Sequence, residues 1–220
     1  NLATNKARYQ EYLRQKSMSK LFDIDIDLIN KDRFKKLYPI AKNSDVFGGM
    51  YIPKDGQADP EILTKVIAKA AKKEGAIIIE KCQFKKIIKR NNQIRGIKTN
   101  LGEIKCEYIV LCAGMWSRQI GEAAGVSVPL YPNEHFYMIT EDYKKLPKNL
   151  PTFRDPDSYL YIREYHKKLM IGIFEPNAKN AFKKNGIVPD NFSFGEFQVK
   201  KNYVNMLHKL ASKRIPEVGN

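Results

Sequence analysis

The sequence predicts an α/β (α+β) fold, with a buried parallel sheet in its middle and alternating strands in its last third. Three observations predict it. The stretch Glu107-Tyr108-Ile109-Val110-Leu111-Cys112-Ala113-Gly114-Met115-Trp116-Ser117 passes from an unbroken apolar run through a glycine into a helix start. A run apolar on both faces and ended by a turn is the pattern of a strand in a parallel sheet covered by helices. Upstream, an amphipathic helix feeds directly into a second apolar run, Ala76-Ile77-Ile78-Ile79, the helix-to-strand unit of a parallel sheet. From Val128 onward the pattern changes to alternation, which suits a sheet with one covered and one open face.

The chain opens with a helix expected over 5–22, with Tyr9, Tyr12, Leu13 and Met18 as its apolar stripe and a basic opposite face. Asp23-Ile24-Asp25-Ile26-Asp27 alternates like a short strand, and Asn30 can cap a brief helix over 31–37 that Pro39 ends. Residues 46–53 read as a strand, followed by the turn Lys54-Asp55-Gly56-Gln57. Asp59 is the next N-cap and Pro60 takes the first helical position, where a missing N–H costs nothing. Ile62, Leu63, Val66, Ile67, Ala70 and Ala71 form one apolar face, and Gly75 ends the helix in the left-handed conformation. Three short β segments follow, 84–88, 94–99 and 103–106, joined at Arg90-Asn91-Asn92 and Asn100-Leu101-Gly102 into a meander. In the last third, 135–139 alternates, 158–164 and 168–174 pair as a hairpin across Tyr165-His166-Lys167, and a helix over 197–210 faces Val199, Tyr203, Val204, Met206 and Leu207 inward.

A hydrophobic fraction of 43% and a charged fraction of 29% belong to a globular chain. No apolar run approaches about 18 residues, so no membrane span is expected. No signal-peptide core opens the sequence. Cys82, Cys106 and Cys112 lack any C-x-x-C spacing, so neither a disulfide framework nor a metal site is expected, and a reducing, cytoplasmic setting fits. The net charge of +15 raises the alternative of a flavin-free, basic nucleic-acid-binding domain. Its lysine pairs, at 35–36, 72–73, 85–86, 144–145, 167–168, 183–184 and 200–201, are instead spread over the whole chain. A nucleic-acid patch would cluster them with aromatics on one face, so neither nucleic acid nor membrane is expected as a partner.

Gly114 carries the first chemical expectation. At the start of a helix the first N–H groups lack intrahelical partners and bear partial positive charge, so a phosphate or a polar cofactor edge can dock there if no Cβ obstructs it. A glycine also serves in such a turn for backbone reasons alone.

Three motifs resemble a known family. Tyr51-Ile52-Pro53-Lys54-Asp55-Gly56-Gln57-Ala58-Asp59-Pro60, the 107–116 stretch and Glu134-His135-Phe136-Tyr137-Met138-Ile139-Thr140 are similar, in the same order, to the middle of the dimethylglycine and sarcosine dehydrogenases. That group lies in the FAD-dependent D-amino-acid oxidase superfamily. The meander between two parallel strands likewise resembles the crossover of glutathione-reductase-like flavoproteins. The resemblance implies an FAD domain interleaved with a substrate domain built on a mixed or antiparallel sheet, and oxidation of the C–N bond of an N-methylated glycine by hydride transfer to flavin. It divides the chain at 1–53 (helical segment and first strand, partly substrate domain), 54–127 (FAD-binding portion), 128–213 (substrate portion) and 214–220 (start of a return to the FAD domain). Because the glycine-rich pyrophosphate cradle of such domains is not among these residues, the chain is expected to be an internal piece of a longer protein and to hold FAD poorly by itself. A folate-binding domain often follows in this family.

Carried over residue by residue, Gly114 with Ala113, Met115 and Trp116 resembles the second FAD-contacting turn. Phe84 falls where a family valine offers its main chain to the adenine. His135 and Tyr161 match a histidine and a tyrosine near the flavin ring, and are the expected catalytic pair. A histidine titrating near neutral pH and a tyrosine hydroxyl can orient an amine or take its proton. Arg163, on the same strand face as Tyr161 by alternation, is expected with Tyr137 to bind the substrate, the guanidinium holding a carboxylate. A relative acting on a 2-hydroxy acid or on glycerol phosphate is the alternative within the same superfamily.

Overall fold

The computed structural model describes residues 1–143, 146–182 and 186–219. The pairs Lys144-Lys145 and Lys183-Lys184, and Asn220, lie outside the described residues. In chain order the elements are β1 (Leu2–Ala3), α1 (Lys6–Ser19), β2 (Asp27–Ile29), α2 (Lys31–Leu37), β3 (Gly48–Tyr51), α3 (Pro60–Lys73), β4 (Phe84–Arg90), β5 (Gln93–Thr99), β6 (Gly102–Lys105), α4 (Ser117–Ala124), β7 (Tyr137–Ile139), β8 (Phe153–Asp155), β9 (Leu160–Tyr165), β10 (Lys168–Ile173) and α5 (Lys201–Arg214). They fall into two compact units. The first holds Asn1–Gln57, His135–Ala178 and Phe197–Asn220; the second holds Ala58–Glu134 and Lys179–Glu196.

The first unit is built around an antiparallel sheet in the order β7-β10-β9-β8. Its central hairpin turns at His166 and Lys167, both at positive φ (50° and 64°), the backbone twist that a two-residue hairpin loop requires. Alternation then sorts the faces. Phe153, Leu160, Ile162, Leu169, Ile171 and Ile173 are buried and pack with Phe34 and Tyr38 from the α2 end and with Leu207 and Ala211 of α5. The other face carries Tyr161 and Arg163. A smaller sheet, β1-β3-β2, sits under α1, whose Tyr12 hydroxyl donates to the Leu2 carbonyl at 2.9 Å.

Several local expectations shift here. Asn30 does cap α2, accepting from the Arg33 N–H at 2.9 Å, whereas Asn5, expected inside the first helix, caps α1 by accepting from the Arg8 N–H at 2.9 Å. The strand expected over 23–27 forms instead at Asp27–Ile29, because its register is set by pairing with β3 at Gly49–Tyr51 and Asp23 turns the chain at φ 54°. Of the predicted α1 stripe Tyr12 is buried while Leu13 and Met18 are exposed. The residues from 214, expected to begin a return to the FAD domain, stay in this unit. Ile215 is fully buried in the core, and Arg214 bonds Asp155 (Nε to Oδ2, 3.0 Å) and Asp45 (2.8 and 3.0 Å).

In the second unit α3 begins at Asp59, which accepts from the Ile62 N–H at 2.9 Å, and ends before Gly75 at φ +93°. Its apolar face is exposed rather than buried, Ile62 by 62% and Val66 by 59%. The runs 76–79 and 107–112, expected as parallel strands, join no ladder, and among the described residues every ladder is antiparallel. An apolar pattern states a demand for cover, but a ladder also needs a neighbour's N–H and C=O groups, and no described segment supplies them. The meander does form, as β4-β5-β6, with Asn91 and Asn92 at positive φ in its first turn. Gln119 of α4 exchanges two bonds with the main chain of Val188 (2.8 and 3.0 Å), tying residues 186–192 beside that helix.

Candidate functional site

Two groups of predicted residues assemble, one in each unit. In the second unit the chain turns at Gly114, which has φ +52° and opens a 3₁₀ turn (Gly114–Trp116) running into α4. A Cβ built on Gly114 would meet nothing within 4 Å, so the turn faces open space. That space is a cleft of about 840 Å³ lined by Phe84, Cys112, Ala113, Gly114, Trp116 and Phe192, among others. Phe84 opens β4 opposite Thr99, and the ladder register shifts between Phe84 and Lys86. Phe84, Ala113, Gly114 and Trp116 therefore share one cleft, whereas Met115 is not in its lining. The sequence reading missed Phe192, whose ring centroid is 6.4 Å from that of Trp116. Its signal was too remote: the Gln119–Val188 bonds tie its segment beside α4. Aromatic walls, an open positive-φ glycine and this volume fit a large planar cofactor.

The second group lies on the open face of the first unit's sheet. Register places Tyr137, Gly172, Tyr161 and Arg154 in one row across β7, β10, β9 and β8. Gly172 is required there: a Cβ would fall on the Tyr161 ring at Cζ and Oη, so the absent side chain lets the phenol lie flat across the sheet. His135 Nε2 is 3.1 Å from Tyr161 Oη. Phe174 stacks on the imidazole at 4.9 Å and 12°, and lies 4.9 Å from the Tyr161 ring. The Arg154 guanidinium sits 5.0 Å over Phe174. Burial is the chief cause that pushes the Tyr161 phenol above its ordinary value; Tyr137 and Glu175 add to it and Arg163 opposes it.

The structure thus brings His135, Tyr161 and Tyr137 together, with Arg163 one rung away along β9. Arg163 is held by Met170, Nε to Sδ at 3.3 Å, and lies 5.5 Å over the Tyr165 ring. His166 is in the hairpin turn and His208 Nε2 donates to the Val218 carbonyl at 2.9 Å, so neither joins the cluster. Sequence reading missed Gly172, Phe174, Glu175 and Arg154. For Gly172 a signal existed, since a glycine inside a strand marks close approach of another group. We expect Gly172→Val to cost about 1–3 kcal/mol by overpacking, read as a lower urea midpoint. An unchanged midpoint would mean that the Tyr161 ring is not held where it lies.

With this geometry in hand, comparison with known proteins adds the following. The family described as "FAD dependent oxidoreductase" matches residues 1–220. The mitochondrial sarcosine dehydrogenase of Mus musculus is 32% identical over 220 residues, covering 98% of this chain and 23% of the relative. The 4-methylaminobutanoate oxidase (formaldehyde-forming) of Paenarthrobacter nicotinovorans is 32% identical over 178 residues, 81% of this chain and 22% of the relative. Among solved structures, L-proline dehydrogenase from P. horikoshii superposes with a TM-score of 0.83 at 24% identity, over 100% of this chain and 56% of that one. The chain thus spans under a quarter of the length of these curated relatives.

Proposed function

The chain belongs to the FAD-dependent oxidoreductase family, and from that premise we propose that the protein it forms oxidises the C–N bond of an N-methylated amino acid, with sarcosine and dimethylglycine as the substrates to test first. The observation that carries the reading is the His135 Nε2 to Tyr161 Oη contact of 3.1 Å on an open sheet face. Both named relatives act on methylated amines, which supports the same substrate class here. Phe84, Ala113, Gly114 and Trp116 would hold FAD, which when bound supplies the acceptor for the hydride of the C–N oxidation.

This chain's own residues then have two tasks. The substrate amine reaches the site largely as an ammonium and must lose a proton before its nitrogen lone pair can assist C–H cleavage. Tyr161 and His135, in hydrogen-bond reach of each other, accept that proton, and the Phe174 ring over the imidazole excludes water from one side. Arg163 and Tyr137 hold the carboxylate, the guanidinium through a charge-assisted bond. No helix among the described residues is long and apolar enough to cross a membrane. Three free thiols, Cys82, Cys106 and Cys112, support a reducing compartment and a cytoplasmic setting.

The test is anaerobic stopped-flow reduction of the flavin-loaded protein. His135→Ala and Tyr161→Phe are each expected to slow reduction by about 100-fold or more, the usual scale of a lost general base, with flavin content unchanged. Wild-type rates in both variants would remove the pair from the chemistry.

A further inference from the structure

Next to the His135–Tyr161 pair lies a carboxylate to which neither the sequence pattern nor the reading above gives a task. Glu175 follows β10 by two residues. Its Oε2 is buried without a hydrogen-bond partner, 3.9 Å from His135 Nδ1. On its other side stands Tyr203 of α5, whose hydroxyl is also buried without a hydrogen bond of good geometry. Burial first, and then the charge of Glu175, push that phenol well above its ordinary value. Tyr203 is itself fixed edge-on against Phe136, ring centroids 5.0 Å apart.

A neutral imidazole offers one N–H and one lone pair, and its two neighbours decide which nitrogen carries which. With the proton on Nε2, the Nδ1 lone pair would face the carboxylate, setting two acceptors against each other beside a largely buried Glu175. With the proton on Nδ1, the N–H points at Glu175 and the Nε2 lone pair accepts from the Tyr161 hydroxyl. Only the second arrangement turns a donor toward the carboxylate, 3.9 Å away, and an acceptor toward the phenol.

We propose that Glu175 is a positioning residue for His135, its carboxylate holding the imidazole proton on Nδ1 so that Nε2 accepts from the Tyr161 hydroxyl. The proposal rests on the reading of His135 and Tyr161 as the proton-handling pair and deepens it. Its proton balance closes: the substrate ammonium gives a proton to Tyr161 Oη as the tyrosine's own proton passes to His135 Nε2. The amine is left neutral, and the imidazolium so formed faces the Glu175 carboxylate until water removes the proton. In the opposite tautomer Nε2 has no lone pair, and the transfer has no acceptor.

The decisive measurement is the tautomer itself, read from two-bond ¹⁵N–¹H correlations of the ¹⁵N-histidine-labelled full-length protein freed of cofactor and substrate, well above the ordinary imidazole pKa of about 6.5. His135→Gln identifies its signal by the peak it removes. Wild-type His135 should carry its proton on Nδ1. Glu175→Gln, whose side-chain amide can donate to Nδ1, should shift the tautomer ratio toward Nε2–H by more than tenfold. A wild-type His135 protonated on Nε2 overturns the proposal, and that reading needs no variant to fold; an identical ratio in Glu175→Gln overturns it as well. In the flavin-loaded protein Glu175→Gln should slow reduction by about tenfold or more at saturating amine, with substrate Kd little changed and Glu175→Asp recovering part of the rate. A wild-type rate in the Gln variant contradicts the role. Because the tautomer is read without substrate or flavin, its outcome and that of the amine-oxidation reading stand or fall separately.

Discussion

Gly114→Val is expected to strip the flavin from the protein, lowering bound FAD per chain by at least tenfold while leaving the first unit folded. Two effects add. A β-branched residue is strained at the φ of +52° seen at Gly114, and about 1–2 kcal/mol is typical for a non-glycine residue held in the left-handed region. The new side chain would also project into the space that is open at this turn, on the wall of the cleft. Since about 1.4 kcal/mol is a factor of ten in binding, the two effects together suffice. Gly114→Asn separates them, because asparagine tolerates the left-handed region but still fills the space. Flavin retained by Asn and lost by Val would assign the effect to backbone conformation. Full loading of the valine variant would refute the assignment of this turn to the cofactor.

The second large effect is on stability. Arg214 is 4% exposed and lies between Asp155, which is fully buried, and Asp45. Arg214→Ala leaves Asp155 as an uncompensated buried charge, which typically costs about 3–5 kcal/mol, a large share of a typical total of about 5–15 kcal/mol. Urea unfolding should show it. The pH dependence has a definite sign. For Asp45 burial works against ionisation, but the Arg214 hydrogen bond and charge prevail and hold its carboxyl below the ordinary value. A depressed carboxyl contributes stability that is present above the unfolded-state value and lost as pH falls through the folded one. The gap between wild type and variant should therefore narrow in acid, below an ordinary aspartate value of about 3.9. A loss under about 1 kcal/mol at neutral pH would contradict the buried-pair account.

Local chemistry was the legible part of this sequence. The caps at Asn30 and Asp59, the Gly75 terminus, the Asn91-Asn92 turn and the 165–168 hairpin were all readable because each depends on residues within a few positions of one another. Alternation over 158–174 also puts Tyr161 and Arg163 on one face, as the β9 ladder does. Burial was less readable. The apolar face of α3 and the runs 76–79 and 107–112 carry the pattern of covered elements yet are exposed or unpaired here, because amphipathicity encodes a demand for a partner without naming it. In the proposed site, His135 and Tyr161 were suggested by the family resemblance. Glu175 and Arg154 were not, because their proximity to the pair comes from cross-strand register and from the approach of α5, which no short motif encodes.

The central claim is that this chain forms part of a flavoprotein that takes electrons from an N-methylated amino acid. Anaerobic titration of the flavin-loaded protein tests it most directly, following the oxidised flavin band as sarcosine, dimethylglycine, a 2-hydroxy acid or glycerol phosphate is added. The account predicts bleaching by sarcosine or dimethylglycine and an unaltered spectrum with the two oxygen substrates. Bleaching by the hydroxy acid or glycerol phosphate alone, or a full-length protein that retains no flavin, would contradict it.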